Sequence, residues 1–246
     1  MPLLRLDRLL ASQGEGSRKE VHALLRGGRI QVDGKTVTAA DQKVDPAQQR
    51  ITVGGRALHW RAHLYLMMNK PVGVISASRD PKARTVLDLL PPELRLPGLF
   101  PAGRLDKDTE GFLLITDDGV FAHDILAPRR HVEKVYLATL DKPADDTDAA
   151  AFAAGLVLED GLRRLPARLW LGEGTEAYAA VREGKFHQVR RMFAACGKQV
   201  LRLRRTQIGG LVLDPALAPG EARELSEAEI ELIKLHKEST RDFNNL

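Results

Sequence analysis

The sequence predicts an α+β protein of two domains, and three observations lead to that prediction. The 246 residues are 43% apolar and 28% charged, which is typical of a globular chain and sufficient for one large or two smaller domains. Residues 1–61 carry 11 Lys/Arg against 6 Asp/Glu, whereas the rest carry 26 against 27. Helical and strand-like hydrophobic patterns follow one another without an internal repeat. We therefore expect a basic module, of the kind that usually binds polyanions, followed by a nearly neutral one.

The first quarter of the chain predicts two short helices and a hairpin. Leu6, Leu9 and Leu10 have the i, i+3, i+4 spacing of one helix face. Residues 17–20 (Ser-Arg-Lys-Glu) form a capping box that opens a second helix. The Asp33-Gly34 pair separates two short β-type runs, and this dipeptide favours a tight hairpin turn.

The remaining chain predicts strands and short helices in alternation. Strands are expected at 64–68, 112–115, 133–140, 177–182 and 200–205, and helices at 85–90, 120–126, 145–155, 187–196 and from 226 to about 237. In the last of these strands apolar and basic residues alternate, which predicts a half-exposed strand with a cationic outer face.

Residues 103–119, GRLDKDTEGFLLITDDG, concentrate acidic side chains around a short buried strand. Asp106 stands just before that strand and beside Arg104, whose charge is expected to lower the pKa of the Asp106 carboxyl. An ionised carboxylate suits a nucleophile or an electrostatic group, although most acidic clusters are only solvated turns. A calcium loop is excluded because Asp117 replaces the glutamate that EF-hands need and because the preceding proline-containing segment cannot form the entering helix.

Four segments together resemble the motifs of bacterial pseudouridine synthases that modify ribosomal RNA. They are G-R-L-D at 103–106, N-K-P-x-G at 69–73, E-K-x-Y at 133–136 and H-Q-V-R-R-M at 187–192. The resemblance implies that Asp106 is the catalytic residue, that Tyr136 lines the uridine pocket and that Arg190 pairs with Asp106. Lys70 is expected to be a surface turn residue without a chemical role.

Residues 3–53 resemble the S4 RNA-binding domain. A basic stripe on the second helix would by itself indicate only a solvated face, but the resemblance implies contacts to RNA phosphates, which position a protein without reading sequence. The residues expected to make them are Arg5, Arg8, Arg18, Lys19, Arg26 and Arg29. Further substrate contacts are expected from Arg104, Arg129, Arg130, Lys185 and Gln188.

The two resemblances together define the expected domains. They imply an S4-like domain of two helices and a hairpin at 1–58, a linker at 59–63, a catalytic domain at 64–237 and a disordered tail at 238–246. The catalytic domain is expected to contain a mixed, mostly antiparallel sheet flanked by helices.

The implied reaction is the isomerisation of uridine to pseudouridine, and the segments HQVRRMFAACG and RTQIGGLVLD resemble the members that act on 16S ribosomal RNA. Such a reaction needs no cofactor and no metal. The expected partner is 16S rRNA or a small-subunit precursor particle, and we expect a cytoplasmic monomer without membrane contact. The single cysteine, Cys196, excludes an internal disulfide. Two alternatives stay open: a family member acting on 23S rRNA, and a non-catalytic RNA-binding assembly protein.

Overall fold

The computed structural model describes residues 3–127 and 132–234. Within them the chain divides into two compact units. The first comprises the residues up to Leu64 together with Pro91–Leu99, and the second comprises the others. Arg129, Arg130 and the tail at 238–246 lie outside the described residues.

The first unit has the two helices and the hairpin that the sequence predicts. The helices are α1 Leu6–Ser12 and α2 Arg18–Arg26, and the strands are β1 Leu4–Arg5, β2 Ile30–Val32, β3 Lys35–Thr36, β4 Lys43–Val44, β5 Ile51–Val53 and β6 Arg56–Ala57. β1 pairs with β4, and the other four form a sheet in the order β3-β2-β5-β6. Ser17 and Glu20 close the predicted capping box at the start of α2. Asp33 and Gly34 both have positive φ, 51° and 79°, which matches the twist that a two-residue hairpin needs.

The core of the first unit contains Leu6, Leu9 and Leu10 from α1 and Val21 and Leu25 from α2, all almost fully buried. The cations predicted to bind RNA lie outside this core. All six are exposed: Arg5, Arg8, Arg18, Lys19, Arg26 and Arg29. Apolar and basic residues therefore separate onto different faces of α2, as the sequence pattern predicts.

The second unit is built on a nine-stranded sheet. Its strands are β7 Tyr65–Lys70, β8 Phe100–Pro101, β9 Glu110–Thr116, β10 Lys134–Leu140, β11 Arg168–Leu171, β12 Glu176–Val181, β13 Val200–Ile208, β14 Leu211–Val212 and β15 Ala222–Glu224. The main order is β11-β12-β10-β13-β9-β7-β15, while β14 pairs with β13 and β8 with β9. The β13–β9 pair is parallel and every other pairing of this sheet is antiparallel. The prediction of a mixed, mostly antiparallel sheet is confirmed.

In the described part of this unit, four α-helices accompany the sheet: α3 Gly119–Leu126, α4 Asp146–Ala154, α5 Gln188–Ala195 and α6 Glu227–Lys234. Short 3-10 turns occupy Val86–Leu89 in this unit and Pro92–Leu94 in the first unit. One apolar core includes Phe152 of α4 and Phe193 of α5, and a second includes Phe121 of α3 and Ile233 of α6. None of the helices in residues 3–127 and 132–234 is long and apolar enough to cross a membrane.

β13 departs from the predicted alternation of apolar and basic residues. Its register against β10 shifts twice, so that Leu201 and Thr206 are extra residues in the ladder. Leu201 is consequently 61% exposed, whereas Arg205 points inward and is only 4% exposed. The predicted cationic outer face is therefore limited to Arg202 and the half-buried Arg204. A bulge reverses the side on which the following residues point, and the sequence pattern does not reveal it.

Candidate active site

Asp106 lies on the short loop between β8 and β9, just before the buried strand. Its backbone carbonyl accepts hydrogen bonds from the Thr109 amide at 3.1 Å and from the Lys70 ammonium at 3.1 Å. Its side chain is 34% exposed. The backbone of the loop is thus fixed from within while the carboxylate stays accessible to a substrate.

Lys70 is completely buried, so its expected role as a surface turn residue is wrong. Its Nζ donates to the carbonyls of Pro71, Asp106 and Thr109 at 3.0, 3.1 and 2.8 Å. Burial, only partly opposed by the nearby carboxylates, lowers the pKa of Lys70 to about 8. Three carbonyls use all three donors of an ammonium group, so Lys70 ties the end of β7 to the Asp106 loop.

The rest of the 69–76 segment holds the same loop. The Gly73 amide donates to the Lys107 carbonyl at 2.8 Å. The Ser76 hydroxyl donates to the Leu105 carbonyl at 2.9 Å and accepts from the Leu105 amide at 3.0 Å. The N-K-P-x-G motif and the G-R-L-D motif therefore form one hydrogen-bonded structure, although more than 30 residues separate them in the chain.

Tyr136 and the Asp106 loop are connected through β13. In the sheet register Tyr136 of β10 lies opposite Arg205 of β13, and Arg205 lies opposite Gly111 of β9. Arg205 donates to the Tyr136 hydroxyl at 3.4 Å and to the Phe112 carbonyl at 2.7 Å, and its guanidinium lies 5.9 Å from the centre of the tyrosine ring. Tyr136 is half-buried in this position. The strand register thus brings the predicted pocket tyrosine to the end of the sheet where β9 begins, next to the loop that carries Asp106.

Strands β9 and β13 approach each other closely at Gly111. Its φ is 101°, and a Cβ at this position would come within 2.3 Å of the Arg205 carbonyl oxygen. Only glycine fits such an approach, so Gly111 is needed for the parallel pairing of β9 with β13.

Sequence reasoning missed Arg205 as part of the site. It is a buried cation opposite Gly111 of β9, and burial and the charge of Arg205 lower the pKa of the buried Lys134 to about 8. The Nη2 atom of Arg205 is buried without a hydrogen-bond partner among the described residues. No local pattern marks this position, because the neighbours of Arg205 in the chain are Arg204 and Thr206. Its burial is the signal, and only the structure shows it, since charged side chains are rarely fully buried.

Arg190 pairs with a different carboxylate from the one expected. Its Nη2 lies 2.8 Å from Oδ2 of Asp108, and its Nη1 donates to the Val200 carbonyl at 2.9 Å. The expected ion pair between Arg190 and Asp106 is therefore wrong for this structure. Arg190 still reaches the Asp106 loop, at Asp108, and it joins helix α5 to that loop and to β13.

Among the described residues, the group within ion-pair distance of the Asp106 carboxylate is the imidazole of His187, with Nε2 3.6 Å from Oδ1. Arg104, whose charge was expected to act on Asp106, is exposed and forms no ion pair within the described part of the chain. Lys185 is also exposed, as a phosphate-binding residue must be.

Gln188, expected to contact substrate, is only 6% exposed and is already bonded. Its Oε1 accepts from the Lys185 amide at 3.1 Å, and its Nε2 donates to Glu183 at 3.3 Å. Gln188 holds the 183–188 turn together. The structure therefore corrects the expectation that this side chain contacts RNA directly.

Comparison with known proteins gives the same family for this chain from sequence and from structure. Residues 64–166 match the family described as RNA pseudouridylate synthase, and residues 4–51 match the S4 domain. An uncharacterized RNA pseudouridine synthase of Bacillus subtilis, YtzG, is 46% identical over 94% of this chain and 98% of that protein. Ribosomal small subunit pseudouridine synthase A of Escherichia coli is 42% identical over 92% of this chain and 98% of its own length.

A crystal structure described as a pseudouridylate synthase superposes with a TM-score of 0.66 and 34% identity, covering 94% of this chain and 99% of that one. The likeness therefore extends across both units. The chain belongs to the RNA pseudouridine synthase family and is an isomerase with an S4 domain.

Proposed function

We propose that this enzyme converts a uridine of 16S ribosomal RNA to pseudouridine, with Asp106 as the catalytic carboxylate. The observation that carries the proposal is the accessible Asp106 side chain on a loop whose backbone is fixed by Lys70, Gly73 and Ser76. The small-subunit substrate is supported by the 42% identity to an enzyme named for that subunit. Such a substrate agrees with activity in the cytoplasm, where ribosomes assemble.

In the proposed reaction the uracil detaches from the ribose and reattaches through carbon. Asp106 attacks the sugar or the base ring, or removes a sugar proton, and each route needs an ionised carboxylate. The loop presents that carboxylate in one position, which lowers the entropic part of the barrier. The target base leaves its stack to enter the site, and Tyr136 supports it there.

Arg190 supports the reaction through the loop and not through Asp106 itself. Its ion pair with Asp108 and its bond to Val200 fix the far side of the catalytic loop. It is therefore a positioning residue in this proposal, whereas Asp106 and Tyr136 contact the substrate.

RNA is held by cations that are open to solvent. Arg8, Arg18, Lys19, Arg26 and Arg29 of the first unit are exposed, and none of them forms an ion pair within residues 3–127 and 132–234. Arg5 is exposed as well, but it is bound by Asp7 at 2.8 Å. Arg104 and Lys185 extend the positive surface in the catalytic unit, and Arg129 and Arg130 are proposed from sequence alone.

The test compares the wild-type enzyme with Asp106→Asn on 16S rRNA transcript and on 30S precursor particles. Pseudouridine is mapped by carbodiimide modification and primer extension. We expect one modified uridine with the wild-type enzyme and none with the variant, while RNA affinity stays unchanged because the exposed cations supply the attraction. Turnover by the Asn variant, after mass spectrometry has excluded deamidation, would overturn the assignment. Modification of 23S rRNA alone would overturn the substrate.

A further inference from the structure

Phe186 is an aromatic side chain that the fold leaves uncovered. It is 73% exposed, and within residues 3–127 and 132–234 it is the only Phe, Tyr or Trp in the exposed class. Single exposed apolar residues are common, so exposure by itself identifies no site. The position and the support of this ring distinguish Phe186 from such residues.

Phe186 is stacked on His187. The two ring centres are 3.8 Å apart and the planes differ by 16°, so one face of Phe186 is covered and the opposite face is open. The Nε2 atom of the same His187 lies 3.6 Å from Asp106 Oδ1. The open aromatic face is therefore one side chain away from the proposed catalytic carboxylate.

The turn that carries this pair is fixed by its own hydrogen bonds. The buried Gln188 spans it by accepting from the Lys185 amide and donating to Glu183, and Glu183 also accepts from the Leu165 amide at 3.1 Å. His187 adopts a left-handed backbone, φ 49° and ψ 29°, which is disfavoured for a residue with a Cβ. Such a conformation persists only where the surroundings determine it, so Phe186 is held in place before any ligand arrives.

The chemistry around the ring favours a nucleobase over an apolar protein partner. The residues before Phe186, Gly184 and Lys185, are both exposed, and they supply no apolar patch for a peptide. Lys185 instead provides a cation beside a flat ring, and this combination binds single-stranded nucleic acid by base stacking and phosphate contact. Every base has an aromatic face, so such a contact tolerates different sequences.

We propose that Phe186, supported by His187, is a stacking platform for the base of a nucleotide adjacent to the target uridine. This inference rests on the proposed function, because the uridine itself occupies the site at Asp106. Once the target base has left the stack, its neighbour loses a stacking partner, and the open face of Phe186 replaces that partner. The platform thus stabilises the opened RNA without reading its sequence.

The test uses the full-length enzyme with three substitutions at this position. Phe186→Ala removes the ring, Phe186→Leu keeps apolar bulk without a flat face, and Phe186→Tyr keeps the face. Val120→Ala is the control, since Val120 is 77% exposed and is also in the catalytic unit. RNA affinity is measured by fluorescence anisotropy on a 16S rRNA fragment that contains the mapped uridine, and turnover is measured on the same fragment.

We expect the Ala and Leu variants to weaken RNA binding by about 5- to 150-fold, the range for loss of one base–aromatic stack. The Tyr variant and the Val120 control should match the wild type, and the thermal midpoint should not change because Phe186 is not part of a core. A set of RNAs then carries one abasic residue each, at a different position flanking the target uridine. For one RNA of this set, the wild-type and Phe186→Ala enzymes should have equal affinity. That equality identifies the nucleotide on the platform.

Two outcomes overturn the platform: equal affinity of the wild-type, Ala and Leu enzymes for intact RNA, or an Ala penalty that no abasic position removes. Absence of pseudouridine from wild-type reactions overturns the proposed function instead. Because binding and turnover are measured separately, failure of one proposal is distinguishable from failure of the other.

Discussion

The two units of this enzyme use positive charge in opposite ways. In the first unit Arg8, Arg18 and Arg26 extend into solvent from two helices. In the second unit Lys70 and Arg205 are at least 96% buried and donate mainly to backbone carbonyls. Exposed cations attract a polyanion and are screened by salt, whereas buried cations fix geometry and are screened much less. The net charge of a segment therefore indicates where RNA is held but not where cations organise the chemistry.

The largest effect is expected from removing the buried ammonium of Lys70. Lys70→Met keeps most of the volume but leaves the carbonyls of Pro71, Asp106 and Thr109 without this donor. A loop displaced by even 1 Å can cost about 100-fold in rate, so we expect a loss of that size in kcat with RNA affinity unchanged.

Lys107→Met is the matched control, because Lys107 is an exposed lysine on the loop that carries Asp106. It should change salt-dependent binding and leave kcat unaltered. If both variants have the same kcat as the wild type, buried and exposed cations do not differ in the way described above.

A pH titration separates activity from stability at the same residue. The pKa of Lys70 is lowered to about 8 from an ordinary 10.5, so we expect kcat to fall as pH rises through about 8 and the ammonium loses a donor. Stability should change in the opposite direction. Between about 8 and 10.5 the unfolded chain binds the proton that the folded chain has released, so this group makes the free energy of unfolding rise with pH.

Lys134 has a pKa lowered to about the same value, and Lys134→Met distinguishes the two lysines. The variant should retain the decline of kcat above pH 8 if Lys70 causes it. A variant whose kcat no longer declines would assign the titration to Lys134.

A smaller effect, about tenfold in kcat, is expected from removing the Arg190–Asp108 ion pair. This pair contributes little to the stability of the fold, because the Asp108 side chain is 64% exposed. Arg190→Ala and Asp108→Asn should each reduce kcat, and the double variant should be no worse than the single ones. Arg190→Lys keeps the charge, so its kcat should lie between that of the wild type and that of Arg190→Ala. Arg191→Ala, at a neighbouring residue that pairs with Asp160 instead, should leave kcat unchanged. An unimpaired Asp108→Asn enzyme would contradict the role of the pair.

The smallest effect on turnover is expected from the exposed cations. Replacing Arg18, Lys19 and Arg26 by Gln should reduce RNA affinity severalfold and the slope of log K against log salt by about 2, with kcat unchanged at saturating RNA. Arg56→Gln is the control, because Arg56 is also exposed but is already paired with Glu15 at 2.7 Å. An unaltered slope in the triple variant would show that this face does not bind phosphates.

The sequence predicts local structure well and contacts between distant segments less well. The capping box at Ser17 and the turn at Asp33-Gly34 depend on neighbouring residues, and both are confirmed. The burial of Lys70 depends on a loop 36 residues away, so the turn motif around it suggests only a surface residue. The inward position of Arg205 follows from that of Leu203 two residues earlier, and the bulge at Leu201 that sets this side has no sequence signal.

The candidate site shows the same limit at finer scale. Family motifs identify Asp106, Tyr136 and Arg190, and the fold connects all three segments, but the partner of Arg190 differs by two residues from the expected one. Gln188 belongs to a motif and is nevertheless used to fold a turn. A motif gives the residues that gather at one place, whereas side-chain packing decides which of them touch.

The position of β13 in the sheet has a consequence for biosynthesis. Val200–Ile208 lies between β10, which carries Tyr136, and β9, which follows Asp106, so it joins two parts of the chain that were made much earlier. β7 likewise completes its pairing only with Ala222–Glu224. A nascent polypeptide that ends before Val200 contains Asp106 and Tyr136 but cannot bring them together. We therefore expect the chain to gain isomerase activity only after its last fifth has been made, and premature termination products to lack that activity.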